Sequence, residues 1–144
     1  MKAIYLDHAA TTPMHPEVIV TMTEAMKDIY GNASSIHQAG RASRKALDEA
    51  RIVLAKSIGA HPNEIILTSG GTEADNMAIF GVAKARANFG KHIITSSVEH
   101  HAVLHACERL EKEGYEVTYL PVNAQGEVNV ADVQAALRED TILV

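Results

Sequence analysis

The stretch Ile65-Ile66-Leu67-Thr68-Ser69-Gly70-Gly71-Thr72-Glu73-Ala74-Asp75-Asn76 constrains this chain more than any other. Ile65 to Thr68 reads as a buried strand, the two glycines as a turn, and the residues behind them as the start of a helix running from about Thr72 to Asn88. Glycine permits φ > 0 and close backbone approach. The helix start adds unpaired N–H groups and partial positive charge, and Thr72 adds a hydroxyl. That combination suits a phosphate or another anion. It also suits a tight strand-to-helix turn capped by Ser or Thr, and spacing alone leaves both readings open. It is neither the G-x-G-x-x-G dinucleotide fingerprint nor a Walker loop, because the required glycine and Gly-Lys-Ser/Thr patterns are missing.

From Ile65 onward strand and helix alternate over short links, which predicts βαβ units and a parallel sheet in an α/β fold. His92–Thr95 and Tyr115–Leu120 read as strands, with a helix from about His100 to Lys112 between them. Asn123–Gly126 reads as a turn, Val130–Arg138 as a short helix, and a strand starts at Thr141. Met77, Ala78, Val82 and Ala85 are the expected inward face of the helix after the glycine turn.

Before Ile65 the pattern is more helical. Ile4-Tyr5-Leu6 reads as a short strand. Pro16 suits the first turn of a helix reaching Ile29, with Ile19, Met22, Met26 and Ile29 on one face. Tyr30–Ser35 is a loop with a serine available as a cap. A long helix from about His37 to Ile58 would face inward through Ala46, Ala50, Val53 and Leu54, and Ala60–Asn63 follows as a turn. Two regions are expected, 1–60 with helices and 61–144 opening the α/β domain. The chain stops inside an apolar strand signal, which suggests an N-terminal piece of something larger.

Composition narrows the function classes. The chain has 144 residues, 47% hydrophobic and 22% charged, with a formal net charge of -5. No Lys/Arg block offsets that charge, so nucleic acid is not an expected partner. No apolar run approaches the ~20 residues that span a bilayer, and the N-terminus leaves no room for a signal-peptide core. The single cysteine, Cys107, cannot make an internal disulfide, so a cytoplasmic location is expected. Cys107 sits in an apolar stripe with Val103 and Leu110 and reads as a packed thiol rather than a nucleophile.

Glu99-His100-His101 follows a strand end, where parallel sheets form their binding crevices. A histidine there can stack on a planar ring or act as acid or base. His101 and His105 share a helix face, but the stretch is H-A-V-L-H, without the glutamate of H-E-x-x-H, and no metal is expected. Asp7-His8 with Thr11-Thr12 has no G-x-S-x-G elbow and reads as a polar loop. Arg41 and Arg44 read as solvated helix residues with i,i+4 partners.

Four stretches taken together carry a likeness. They are Tyr5-Leu6-Asp7-His8-Ala9-Ala10-Thr11-Thr12-Pro13; Gly31-Asn32-Ala33-Ser34-Ser35-Ile36-His37 with Gly40-Arg41; Thr68 to Asn76; and His92-Ile93-Ile94-Thr95 with Glu99-His100-His101-Ala102-Val103-Leu104. In this order they resemble the N-terminal part of the NifS/IscS-type cysteine desulfurases, within the class V aminotransferases. These are pyridoxal 5'-phosphate (PLP) enzymes of the type I, aspartate-aminotransferase-like fold.

The resemblance implies that Gly71 and Thr72 hold the cofactor phosphate and that His100 stacks on the ring and assists proton transfer. Ala9 would line the substrate side. Asn32, Ser34 and His37 would lie near the mouth of the site and the subunit contact. The implied reaction takes sulfur from L-cysteine, releases alanine and leaves a persulfide for iron–sulfur cluster assembly or other sulfur transfer. A homodimer and a sulfur-acceptor or iron–sulfur scaffold protein are the implied partners. The family's cofactor-bound lysine and sulfur-accepting cysteine match nothing up to Val144: Lys84, Lys91 and Cys107 are all in the wrong context. Departures include His8 and Ala33, where the family often has asparagine and proline. A selenocysteine lyase, another type I PLP enzyme, a non-catalytic fragment and a generic α/β anion-binding domain fit the same motifs.

Overall fold

The computed structural model describes residues 4–144. Met1 to Ala3, part of the N-terminal reading, lie outside the described residues. The chain forms two compact units, one ending at Ile66 and the other running from Leu67 to Val144.

The first unit holds helices α1 (Pro16–Asp28) and α2 (Gln38–Ser57), then a 3-10 turn at Pro62–Glu64 where a simple turn was expected. Pro16 starts α1 as anticipated, because a first-turn N–H has no helical partner to lose. The cap of α2 is His37 rather than a serine: its Nδ1 accepts from the Gly40 N–H at 3.3 Å. His15 and His61 cap α1 and the 3-10 turn in the same way. Arg44 pairs with Asp48 at 2.9 Å, the i,i+4 contact its spacing predicts, and holds the Asp48 carboxyl below its ordinary range.

Two expectations fail in this unit, the Ile4–Leu6 strand and the inward face of α2. Ile4–Leu6 is not a strand, and Ile4 and Leu6 are exposed; a strand needs a ladder partner, and none pairs with this segment among the described residues. The Ile19, Met22, Met26 and Ile29 face of α1 is uncovered, with Met26 at 71% exposure. In α2 the buried residues are Gly40, Ser43 and Ala55, whereas Val53 and Leu54 are exposed and Ala50 is not buried. Ile65–Thr68, which runs from this unit into the next, is likewise not a strand, again for want of a partner.

The second unit contains α3 (Gly71–Arg86), β1 (His92–Ser96), α4 (His101–Lys112), β2 (Glu116–Leu120), α5 (Val130–Ala136) and β3 (Thr141–Leu143). The three strands form a parallel sheet in the order β2-β1-β3. The chain therefore leaves β1 for one neighbour and crosses over, through α5, to the other. Helix α5 ends two residues before the expected Arg138, whose guanidinium instead forms ion pairs with Asp140 and Glu116.

The core lies where α3 and α4 meet the sheet: Ile79, Ala83, Ile93, Ala106, Cys107 and Leu110, flanked by Phe80, Val103 and Val117. The inward face of α3 is thus Ile79 and Ala83, with Val82 half-buried; Met77, Ala78 and Ala85 point outward. The helix is apolar on more than one side, so packing against α4, rather than its apolar pattern, selects the face. Tyr115 fastens β2 to α3 by donating its hydroxyl to the Ala83 carbonyl at 2.9 Å. Gly90 allows the close approach of β1 and β3, since a Cβ there would lie 2.1 Å from the Asp140 carbonyl oxygen.

His92 is the polar centre of the sheet. It is 0% exposed, and its ring nitrogens each lie 2.8 Å from a threonine hydroxyl, Nδ1 from Thr141 on β3 and Nε2 from Thr118 on β2. One neutral imidazole, donating at one nitrogen and accepting at the other, ties all three strands. Burial, and then Arg138, lower its pKa, against the pull of Asp140 and Glu116.

Two outcomes follow from this arrangement. Replacing His92 with Ala should cost about 2–4 kcal/mol, by leaving a cavity and the Thr118 hydroxyl without its partner; a denaturation midpoint measures this. The unfolded ring binds a proton more readily than the folded one. The stability His92 contributes is therefore complete above its ordinary pKa of 6.5 and is lost as pH falls from there through the lower folded value. His92→Gln should flatten that part of the stability profile.

Candidate functional site

The glycine turn leads directly into α3, whose first residue is Gly71, one before the expected start. Gly70 is the cap residue, with φ 169° and ψ 178°, extended backbone rather than a left-handed turn. Neither Gly70 nor Gly71 has a positive φ, so the conformational reason for glycine here does not hold. What holds is space: a Cβ added at either position would meet nothing within 4 Å. The chain does not itself fill the room in front of this turn.

No side chain caps α3, which removes the alternative of a Ser or Thr cap. Thr68 Oγ1 donates to the Gly70 carbonyl at 3.1 Å, and Ser69 donates through both its N–H and its hydroxyl to Glu73, at 2.7 and 2.6 Å. Those bonds, the hydroxyl first, hold the Glu73 carboxyl below its ordinary range. The first backbone bond into the helix is Ala74 N–H to the Gly70 carbonyl. Among the described residues, the N–H groups of Gly71, Thr72 and Glu73 therefore have no protein acceptor. Three open donors at a helix start, beside a threonine hydroxyl, are the kind of donor set an anion needs.

His100 follows the carboxyl end of β1 and is the cap of α4: its Nδ1 accepts from the Ala102 N–H at 3.1 Å. An Nδ1 that accepts carries no proton, so the neutral ring bears its proton on Nε2. The residue is exposed. His101 and His105 stack on each other, ring centroids 5.2 Å apart.

Gly71, Thr72 and His100 lie on the first turns of α3 and α4, two helices packed together. Asn76 bridges those turns. Its Nδ2 donates to the Thr72 carbonyl at 2.8 Å and to the Ala102 carbonyl at 3.3 Å. Its i,i+4 spacing from Thr72 was visible in the sequence, but the partner on α4 was not.

Other candidates lie elsewhere in the chain. Ala9, Asn32, Ser34 and His37 belong to the first unit. Cys107 is 1% exposed in the core, and burial raises its pKa, with Glu111 and Glu99 adding to the effect, so its thiolate is disfavoured. Lys91 precedes β1, at the opposite end of that strand from His100, with its Nζ 5.5 Å from the Tyr115 ring centre. Lys84 lies in the last turn of α3. No helix among the described residues is long and apolar enough to cross a membrane.

Residues 4–144 match the Aminotransferase class-V family. The cysteine desulfurase IscS of Dictyoglomus turgidum is 57% identical over 143 residues, covering 99% of this chain and 36% of that protein. A solved structure described as a NifS-like protein superposes with a TM-score of 0.84 at 34% identity, over 92% of this chain and 36% of that one. Another, described as SspA in complex with cysteine, gives 0.82 at 38% identity, over 92% and 38%. The chain thus spans little more than a third of the length of these relatives. The likeness places its mixed α/β architecture within part of the type I PLP fold.

Gly71→Ala should leave stability unchanged or raise it by up to about 1 kcal/mol, since alanine is the better helix residue and nothing in the protein obstructs its methyl. The same change should weaken binding of inorganic phosphate or PLP, read by titration, because the methyl occupies the cradle.

Proposed function

This chain belongs to the class-V aminotransferase family, and on that premise we propose that it is the N-terminal part of a PLP-dependent cysteine desulfurase. The observation that carries the cofactor site is the uncapped start of α3. Gly71 and Thr72 offer backbone N–H groups, and Thr72 a hydroxyl, to the PLP phosphate. The helix start adds favourable field at the same point. His100, on the adjoining helix start, faces the cofactor and substrate with Nε2–H, a donor suited to orienting a ring or a substrate atom.

When bound, PLP supplies an electron sink for the bonding changes at the substrate carbon. The residues of this chain hold its phosphate and present a hydrogen bond beside it. The lysine and sulfur-accepting cysteine of such an enzyme would be supplied outside residues 1–144, which agrees with the setting of Lys84, Lys91 and Cys107. L-cysteine as substrate is supported by the IscS likeness. Alanine is then the co-product, and an iron–sulfur scaffold or another sulfur acceptor is the partner. The uncovered Ile19, Met22, Met26 and Ile29 face supports a homodimer, because such a stripe is costly to leave in water. The lone cysteine supports a cytoplasmic setting.

The whole protein, incubated with PLP, L-cysteine and a thiol reductant, should release alanine and sulfide in equal amounts. Residues 1–144 alone should give neither product. Thr72→Val in the whole protein should weaken PLP binding about 10- to 100-fold, the usual value of a hydrogen bond to a charged group. Turnover by residues 1–144 alone, or PLP affinity indifferent to Thr72, would count against this assignment.

A further inference from the structure

We infer that Asn76 is the positioning residue that couples the anion cradle on α3 to His100 on α4. The inference rests on the PLP site proposed above and adds a residue to it. The bridge has three links. The Asn76 amide donates one proton to the Thr72 carbonyl, within the turn that carries the open N–H groups. It donates the other to the Ala102 carbonyl. Ala102 in turn donates its N–H to Nδ1 of His100.

Both groups facing the amide nitrogen are carbonyl oxygens, which fixes the orientation of the side chain: reversed, its own oxygen would meet two acceptors. Asn76 is half-buried, and Asn76 to Ala102 is a direct side-chain link between the first turns of the two helices. A longer or shorter side chain at this position would not reach both carbonyls in the same geometry. The role assigned to Asn76 is spacing, between the group proposed to grip the phosphate and the imidazole proposed to face the ring.

A thermodynamic cycle in the whole protein tests this. PLP affinity is read from the absorbance change on titrating PLP into cofactor-free protein. The variants are Thr72→Val, His100→Ala and the two combined, each made with Asn76 intact and with Asn76→Ala. With Asn76 present, the Thr72 and His100 losses should be non-additive by about threefold or more. With Asn76→Ala they should multiply to within about twofold. Asn76→Asp should bind PLP more weakly than Asn76→Ala, because a carboxylate would then face two carbonyls. A purely structural role for Asn76 would lower the melting temperature without changing the coupling.

Coupling that survives Asn76→Ala, or that is missing with Asn76 in place, overturns the inference. If neither Thr72→Val nor His100→Ala weakens PLP binding, the PLP site itself is wrong, a separate and recognisable result. Should Asn76→Ala fail to fold, Asn76→Gln carries the same comparison, since it keeps an amide but displaces it by one methylene.

Discussion

The double pairing of β1 is the constraint on which the second unit depends. As the central strand it must satisfy neighbours on both sides, and His92 reinforces this by meeting a threonine on each. With β1 held, Ile93 points into the core against Ala106, Cys107 and Leu110, and α3 and α4 pack over it. The carboxyl end of β1 then fixes where α4 begins. A donor set on one helix start and an imidazole on the next owe their proximity to this sheet, although no sheet residue belongs to the cradle.

Helix ends were legible in the sequence. The segment read as about His37 to Ile58 is observed as Gln38–Ser57, and the one read as about His100 to Lys112 as His101–Lys112. Local capping and apolar period carry that information within a few residues. The parallel order around β1 was legible only as alternation. Ile65–Thr68 shows the limit: its apolar run was plain, but a strand is a relation between segments, and no partner pairs with it here. The inward faces were misread for a related reason. Alanine-rich helices carry apolar residues on several sides, so Ile79 rather than Met77 is buried because of what α4 presents to it.

The candidate site divides in the same way. Gly71, Thr72 and His100 are marked by local pattern and by likeness to a family, and each lies at a helix start. The role of Asn76 could not be read, because Ala102 is a distant neighbour in sequence and its carbonyl carries no sequence signature. The glycines illustrate the converse. They suggested a left-handed turn, whereas Gly70 is extended, Gly71 is helical, and their value lies in unoccupied volume. The edges of the sheet tell a similar story: β2 and β3 each pair only with β1 among the described strands, a geometry that admits further strands.

The cap at His100 gives one ring two duties. The Nδ1 lone pair is taken up by the Ala102 N–H while the cap is made. An imidazole held in that way is fixed in orientation, with Nε2 left for a second partner. The side chain that presents a donor at the candidate site and the acceptor that anchors the start of α4 are thus one ring, so a change of rotamer at His100 is felt by the Ala102 amide two residues later.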